Sequence, residues 1–189
     1  MSQRDQLVTL LAKSAYREGE FLLSSGVRSS FYLDAKKVTY HPDGVRWVGH
    51  EILAAVHGFG VEAVGGLTMG ADAIVTSAVW ASIEEGCPLP GFVVRKDPKK
   101  HGLQKMIEGV DPAGRVVVIV DDVITSGNSV LKAVEAAREA GATVAVVVGL
   151  IDREQGGAAA IEAFGVPFRS ICTISEIRAA AAIEARVAA

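Results

Sequence analysis

The sequence predicts an α/β fold: a central, mostly parallel sheet flanked by helices, in one domain. Three observations predict it. Near-continuous Val/Ile runs at 116–120 and 144–151 suit strands buried on both faces. From Glu62 onward such runs alternate with helix-period segments, the pattern of βαβ units. The 189 residues, 50% hydrophobic and 22% charged, can bury a core without disulfide or metal staples.

Each element has its own signal. The first twenty residues pattern as an amphipathic helix. Two extended segments follow, 20–23 and 30–38, joined at Ser24, Ser25 and Gly26. Pro42 and Asp43 introduce a helix over 45–57, whose Trp47, Val48, Ile52 and Val56 form one stripe. A strand at 63–64 leads through a Gly-rich turn into a helix over 71–84, and 92–94 forms the next strand. From Arg95 no apolar pattern resumes until Val116, and so long a structureless stretch reads as a functional lid. The strand 116–120 feeds a helix from Gly127 to Gly141, with Gly141 as a left-handed cap after Ala140. The strand 144–151, a short strand around Ile171 and an Ala-rich helix from Ala179, frayed at its end, complete the order.

Composition excludes several function classes. A net charge of -3 argues against a general nucleic-acid binder, so any anionic ligand must be held by local positive charge. No apolar run reaches the ~20 residues of a membrane span, and no basic flank precedes a long apolar segment. A soluble cytoplasmic protein is expected, with no membrane partner. Two cysteines, Cys87 and Cys172, form no framework or metal cluster and are expected as partly buried thiols. His41, His50 and His57 show no ligand spacing.

The strongest signal is VVVIVDDVITSGNSV, residues 116–130. A core strand ends in Asp121 and Asp122, and a turn of Thr125, Ser126, Gly127, Asn128 and Ser129 opens a helix. Ligands of open α/β sheets sit at such strand ends. Hydroxyls and backbone N–H groups at a helix N-terminus form an anion cradle. Two carboxylates would repel a bare phosphate. They suit a ligand that presents hydroxyls or a metal ion there, as a ribose 5-phosphate does. The run has neither G-x-x-x-x-G-K-[ST] nor G-x-G-x-x-G, which excludes a P-loop and a dinucleotide fingerprint. A plain capped turn is the competing reading.

Three further segments carry charge or bare backbone to the same sheet edge. Arg95, Lys96, Lys99, Lys100 and His101 follow a core strand, and cations there could stabilise a departing anion while the loop excludes water. Gly65, Gly66, Leu67, Thr68, Met69, Gly70, Ala71 and Asp72 form a turn whose backbone could approach an anion, or whose glycines merely permit tight packing. Arg153 ends the apolar run 146–151 and could clamp a planar carboxylate, or pair with Asp152 or Glu154.

The acidic run resembles the diphosphate-sugar binding motif of the type I phosphoribosyltransferases: apolar residues, two acids, then Thr-x-Gly-x-Ser. The spacing Arg-Lys-x-x-Lys-x-His-Gly, with Ile107-Glu108-Gly109 after it, resembles the catalytic loop of the orotate-using members. The resemblance spans about 21–153 and implies that family's fold, with residues 1–40 forming a small N-terminal hood over the base. It implies transfer from phosphoribosyl diphosphate to orotate with Mg2+, which is held mainly by substrate near Asp121 and Asp122. By the same resemblance Arg95, Lys96, Lys99 and His101 contact the diphosphate, and so does the loop Thr68, Met69 and Gly70. Asp121, Asp122 and residues 125–129 hold the donor sugar. Arg153, Thr125, Tyr32 and Leu33 meet orotate. A homodimer sharing the catalytic loop is implied as well. Some members carry Asp at position 100 and Lys at 24 and 69, where this chain has Lys100, Ser24 and Met69. A missing cation at 24 could be replaced by Lys36 or Lys37.

Two alternatives stand beside this reading. Transfer to a purine base would use the same donor site, although Arg153 and the basic loop speak against it. A non-catalytic sugar sensor should carry a DNA-binding segment or a basic face, which the short first helix and acidic balance do not supply.

Overall fold

The computed structural model describes residues 1–22, 28–96 and 106–187. Its main sheet has six strands in the order β5-β4-β3-β6-β7-β8. They are β3 (Ala63–Leu67), β4 (Gly91–Val94), β5 (Ile107–Gly109), β6 (Val116–Ile124), β7 (Thr143–Asp152) and β8 (Phe168–Thr173). All pairings are parallel except β4 with β5.

Strand alternation assigns the two faces. Val118 and Val120 join the cluster under α3 (Pro42–Val56) and α4 (Asp72–Glu84). Val117 and Ile119 join the cluster under α5 (Asn128–Glu139) and α6 (Gly157–Ala163). All four are 0% exposed, so the run has no polar position to alternate with.

The strand 116–120 was expected to end at the acids, but β6 continues through Asp121 and Asp122 to Ile124. The reason is β7, which keeps pairing with it at Asp121↔Gly149 and Val123↔Ile151. The expected helix from Gly127 to Gly141 is α5. At its end Gly141 N–H donates to Arg138 O and Ala142 N–H to Ala137 O, at 2.9 and 3.0 Å, with Gly141 at φ 87. These bonds satisfy carbonyls the helix itself cannot.

The N-terminal part contains α1 (Gln3–Leu10), prolonged by a wider π turn over Leu11–Ala15, then the antiparallel hairpin β1 (Tyr16–Leu22) and β2 (Arg28–Leu33). The second extended segment stops at Leu33 rather than at 38, because α2 (Lys36–Thr39) turns there. Val38 and Thr39 donate backbone bonds to Ala35 O, and the turn buries Val38 completely. Burial overrides the strand preference of Val and Thr.

Three further differences have local causes. β5 lies inside the stretch expected to lack structure; three residues are too few to show a period. The helix α6 is short and mostly Gly and Ala. The last helix, α7 (Ile174–Val187), starts well before Ala179. Thr173 N–H donates to Glu176, and Glu176 N–H returns to Thr173 Oγ1, a reciprocal cap legible as T-x-x-E. Cys172 is buried and Cys87 exposed, rather than both half-buried. Among the described residues no helix is long and apolar enough to cross a membrane.

Candidate active site

β3 pairs with β4 on one side and with β6 on the other, so the strand order reverses at β3. Open α/β sheets leave a crevice at the carboxyl ends of such strands. The acidic run of β6, the Gly-rich turn after β3 and Arg153 after β7 all lie at those ends.

Asp121 is 6% exposed, and its Oδ1 accepts the Asp122 N–H at 3.0 Å. Burial, and then the Asp122 charge, push its carboxyl up to about 7. Burial raises Asp122 as well, while the Lys36 charge opposes that rise and the Lys96 charge opposes it at Asp121. Two desolvated carboxyls on adjacent residues can accept from a cationic or hydroxylic donor. The Gly-rich turn lies directly on them: a Cβ at Gly70 would stand 2.5 Å from Asp121 Oδ1 and 3.0 Å from Asp122 Oδ1. Gly65 and Gly66 serve packing instead, since a Cβ there would meet the Phe92 ring or Val120 O. The packing reading of the turn thus holds for Gly65 and Gly66, while Gly70 brings bare backbone against the acidic pair.

Gly127 caps α5 in the left-handed region at φ 81, and no side chain bonds to the helix N-terminus. Thr125 and Ser126 do not satisfy those donors, which removes the plain capped-turn reading. The N–H groups open on a cavity of about 80 Å³ lined by Asp121 and residues 123–130. A small pocket of bare N–H groups at a helix N-terminus accepts a phosphate-sized anion. A larger cavity, about 370 Å³, lies at the hairpin beside Phe21 and Arg28 and shares no residue with this one.

The remaining sequence candidates divide. Thr68 Oγ1 donates to Asp72 Oδ2 at 2.8 Å, whereas Asp72 Oδ1 is buried without a partner. Met69 is 65% exposed and joined to Thr68 by a cis peptide. Arg95 pairs with Glu108 at 2.9 Å across β4 and β5, and Lys96 is exposed. Lys99, Lys100 and His101 lie outside the described residues, as do Ser24, Ser25 and Gly26.

Arg153 pairs with neither Asp152 nor Glu154: the Asp152 carboxylate accepts the Glu154 N–H, and Glu154 reaches Ser175. Its guanidinium carbon lies 4.7 Å from the centroid of the Phe31 ring, and burial lowers its pKa. Tyr32 projects from the other face of β2, 43% exposed, against Phe21 at 5.6 Å. Leu33 is half-buried on the core. Sequence reasoning singled out neither Phe31 as the neighbour of Arg153 nor Arg178, whose guanidinium carbon lies 4.4 Å from the same centroid. A phenylalanine beside a tyrosine carries no signal for which one turns inward.

Comparison with known proteins adds three findings. Residues 63–164 match the family model of the phosphoribosyl transferase domain. An orotate phosphoribosyltransferase of a Nostoc species is 43% identical over 93% of this chain and 85% of its own length. The orotate phosphoribosyltransferase of Mycobacterium tuberculosis, crystallised with Fe(III) dicitrate, superposes with a TM-score of 0.85 at 36% identity, covering 93% of this chain and 99% of that one. Its complex with 5-phospho-alpha-D-ribosyl 1-diphosphate gives 0.80 at 33%, with 93% and 99% covered.

Proposed function

The chain belongs to the phosphoribosyl transferase family, among its orotate phosphoribosyltransferases, and from that premise we propose how its residues carry the reaction. Orotate and phosphoribosyl diphosphate give orotidine 5-phosphate and diphosphate, a step of pyrimidine biosynthesis. The observation that carries the residue assignment is the buried acidic pair beside a helix N-terminus that no side chain caps.

In this assignment Asp121 and Asp122 accept the ribose hydroxyls, and the N–H groups and hydroxyls of residues 125–129 hold the 5-phosphate. The turn Thr68, Met69 and Gly70 lies along the diphosphate. Bond breaking at the anomeric carbon leaves positive charge on the sugar and negative charge on the departing diphosphate. Arg95, Lys96, Lys99 and His101 stabilise the latter. Arg153 and Thr125, with Tyr32 and Leu33 in the hood, orient orotate so that its ring nitrogen faces that carbon, an advantage of position rather than of covalent chemistry.

The acidic pair fits a magnesium ion held mainly by substrate oxygens, because two desolvated carboxyls gain from a nearby cation. Among the described residues no group of three or more His, Cys, Asp or Glu side chains could hold a metal ion. When bound, the ion neutralises diphosphate charge.

We further assign one domain to residues 1–189, with 1–40 as hood, and a homodimer working in the cytoplasm. Exposed apolar side chains support the dimer: Trp80 and Ile83 on α4 are 45% and 61% exposed, and Tyr40 is 64% exposed.

The test is the fall in orotate absorbance with phosphoribosyl diphosphate and magnesium. Wild type consumes orotate, Arg153→Ala raises the orotate KM by roughly tenfold or more, and Lys99→Ala lowers turnover. A wild type that binds the donor but leaves orotate unchanged would sink the assignment.

A further inference from the structure

We propose that Arg178 is a second cation of the acceptor subsite and shares the orotate carboxylate with Arg153. The proposal rests on the orotate reading above and adds a specificity-determining residue to it.

The geometry starts from Phe31. Its ring is buried, is backed by Tyr16 at 5.8 Å, and carries two guanidinium groups, those of Arg153 and Arg178. Neither forms an ion pair with any described carboxylate. The Arg178 charge lies close enough to the Tyr16 hydroxyl to act on it, and that hydroxyl itself donates to Glu18 Oε1 at 3.1 Å. Arg153 Nε is buried with no partner, and the Arg178 charge disfavours the Arg153 cation. Two like charges on one ring, one with an orphaned donor, form an arrangement that an anion stabilises and its absence does not.

The backbone holds both arginines to this ring. Glu154, next to Arg153, is the one described non-glycine residue in the left-handed region, at φ 57. Its carboxylate accepts the Ser175 N–H at 3.1 Å and the Ser175 hydroxyl, tying the Arg153 loop to the first turn of α7. Arg178 stands on that helix, which Ile174 and Ile177 anchor in the core. The Arg153 loop is therefore joined directly to the helix that carries Arg178.

The ligand chemistry follows. A planar heterocycle bearing one carboxylate gives each arginine an acceptor. A pyrimidine without that group leaves the partly buried Arg153 cation and its orphaned Nε beside a second, exposed cation, with no anion to offset either. Sites of this kind reject the uncharged analogue more strongly than they gain from the correct ligand.

The experiment compares Arg178→Ala, Arg178→Met and Arg178→Lys with wild type in the full chain. It measures the orotate KM, the donor KM, kcat and inhibition by the neutral carboxamide of orotate, with unfolding temperature as the control for folding. Arg178→Met keeps an apolar stem on Phe31. The expected result is an orotate KM raised about tenfold in the Ala and Met variants, the loss of a charge-assisted hydrogen bond. The donor KM stays unchanged, carboxamide inhibition holds or strengthens because one unpaired cation is gone, and Lys restores part of the loss. Unchanged orotate KM values overturn the proposal. So does an equal loss for orotate and its carboxamide, which would make Arg178 a packing residue. A wild type inactive toward orotate overturns the underlying reading, and is seen before any variant is compared.

Discussion

Asp121 shows what burial does to one residue. Its carboxyl is raised from 3.8 to about 7, so between those values the folded chain binds more protons than the unfolded one. Stability from this group is therefore present at low pH and is lost as pH rises toward about 7. Asp121→Asn should raise the unfolding temperature of the substrate-free protein at pH 8, by roughly 2–4 °C for each kcal/mol relieved. At pH 5 the gain should shrink, while orotate turnover falls at both. Thermal melts at the two pH values check this, and a variant less stable than wild type at pH 8 would refute it. The acidic pair and its turn were legible because their chemistry is local in sequence. The pairing of Phe31 with Arg153 and Arg178 was not, because those residues meet only through tertiary packing.

Glycines at the two ends of α5 separate stability from ligand binding. Gly127 and Gly141 adopt φ 81 and φ 87, so alanine is strained at both. At Gly141 a Cβ meets nothing closer than 3.9 Å, and at Gly127 it meets Gly157 O at 3.2 Å. Each substitution to alanine should cost about 1 kcal/mol in denaturant unfolding. Only Gly127→Ala should also weaken donor-sugar binding, as titration calorimetry would report; equal donor affinity in both variants would count against the cradle. Core strands and their helices were readable at this scale because Val/Ile runs and 3.6-residue stripes are long-range patterns. The three residues of β5 have no period to read, and Leu33–Val38 changes course because Val38 must be buried.

For the molecule as a whole, the proposed dimer makes a concentration-dependent prediction. Thr76, Trp80 and Ile83 recur on one exposed stripe of α4, and Thr76 lines both a groove with Tyr40 and Val45 and another with Val79 and Phe92. Trp80→Glu should halve the sedimenting mass and lower turnover with little change in monomer stability, because Trp80 is already 45% exposed. An unchanged mass would move the interface elsewhere. Neither partner nor lid geometry is written in a single chain's pattern. The parallel sheet was, since its buried strands admit so few polar residues.

The tie between Glu154 and Ser175 joins parts of the chain that are made at different times. The donor cradle draws on residues up to 129, whereas Arg178 belongs to a helix that the ribosome delivers later. A growing chain thus holds every residue of the donor cradle before it holds the second arginine beside Phe31. Phe31 and Tyr16, made first, must wait for α7 to bring them their second charge.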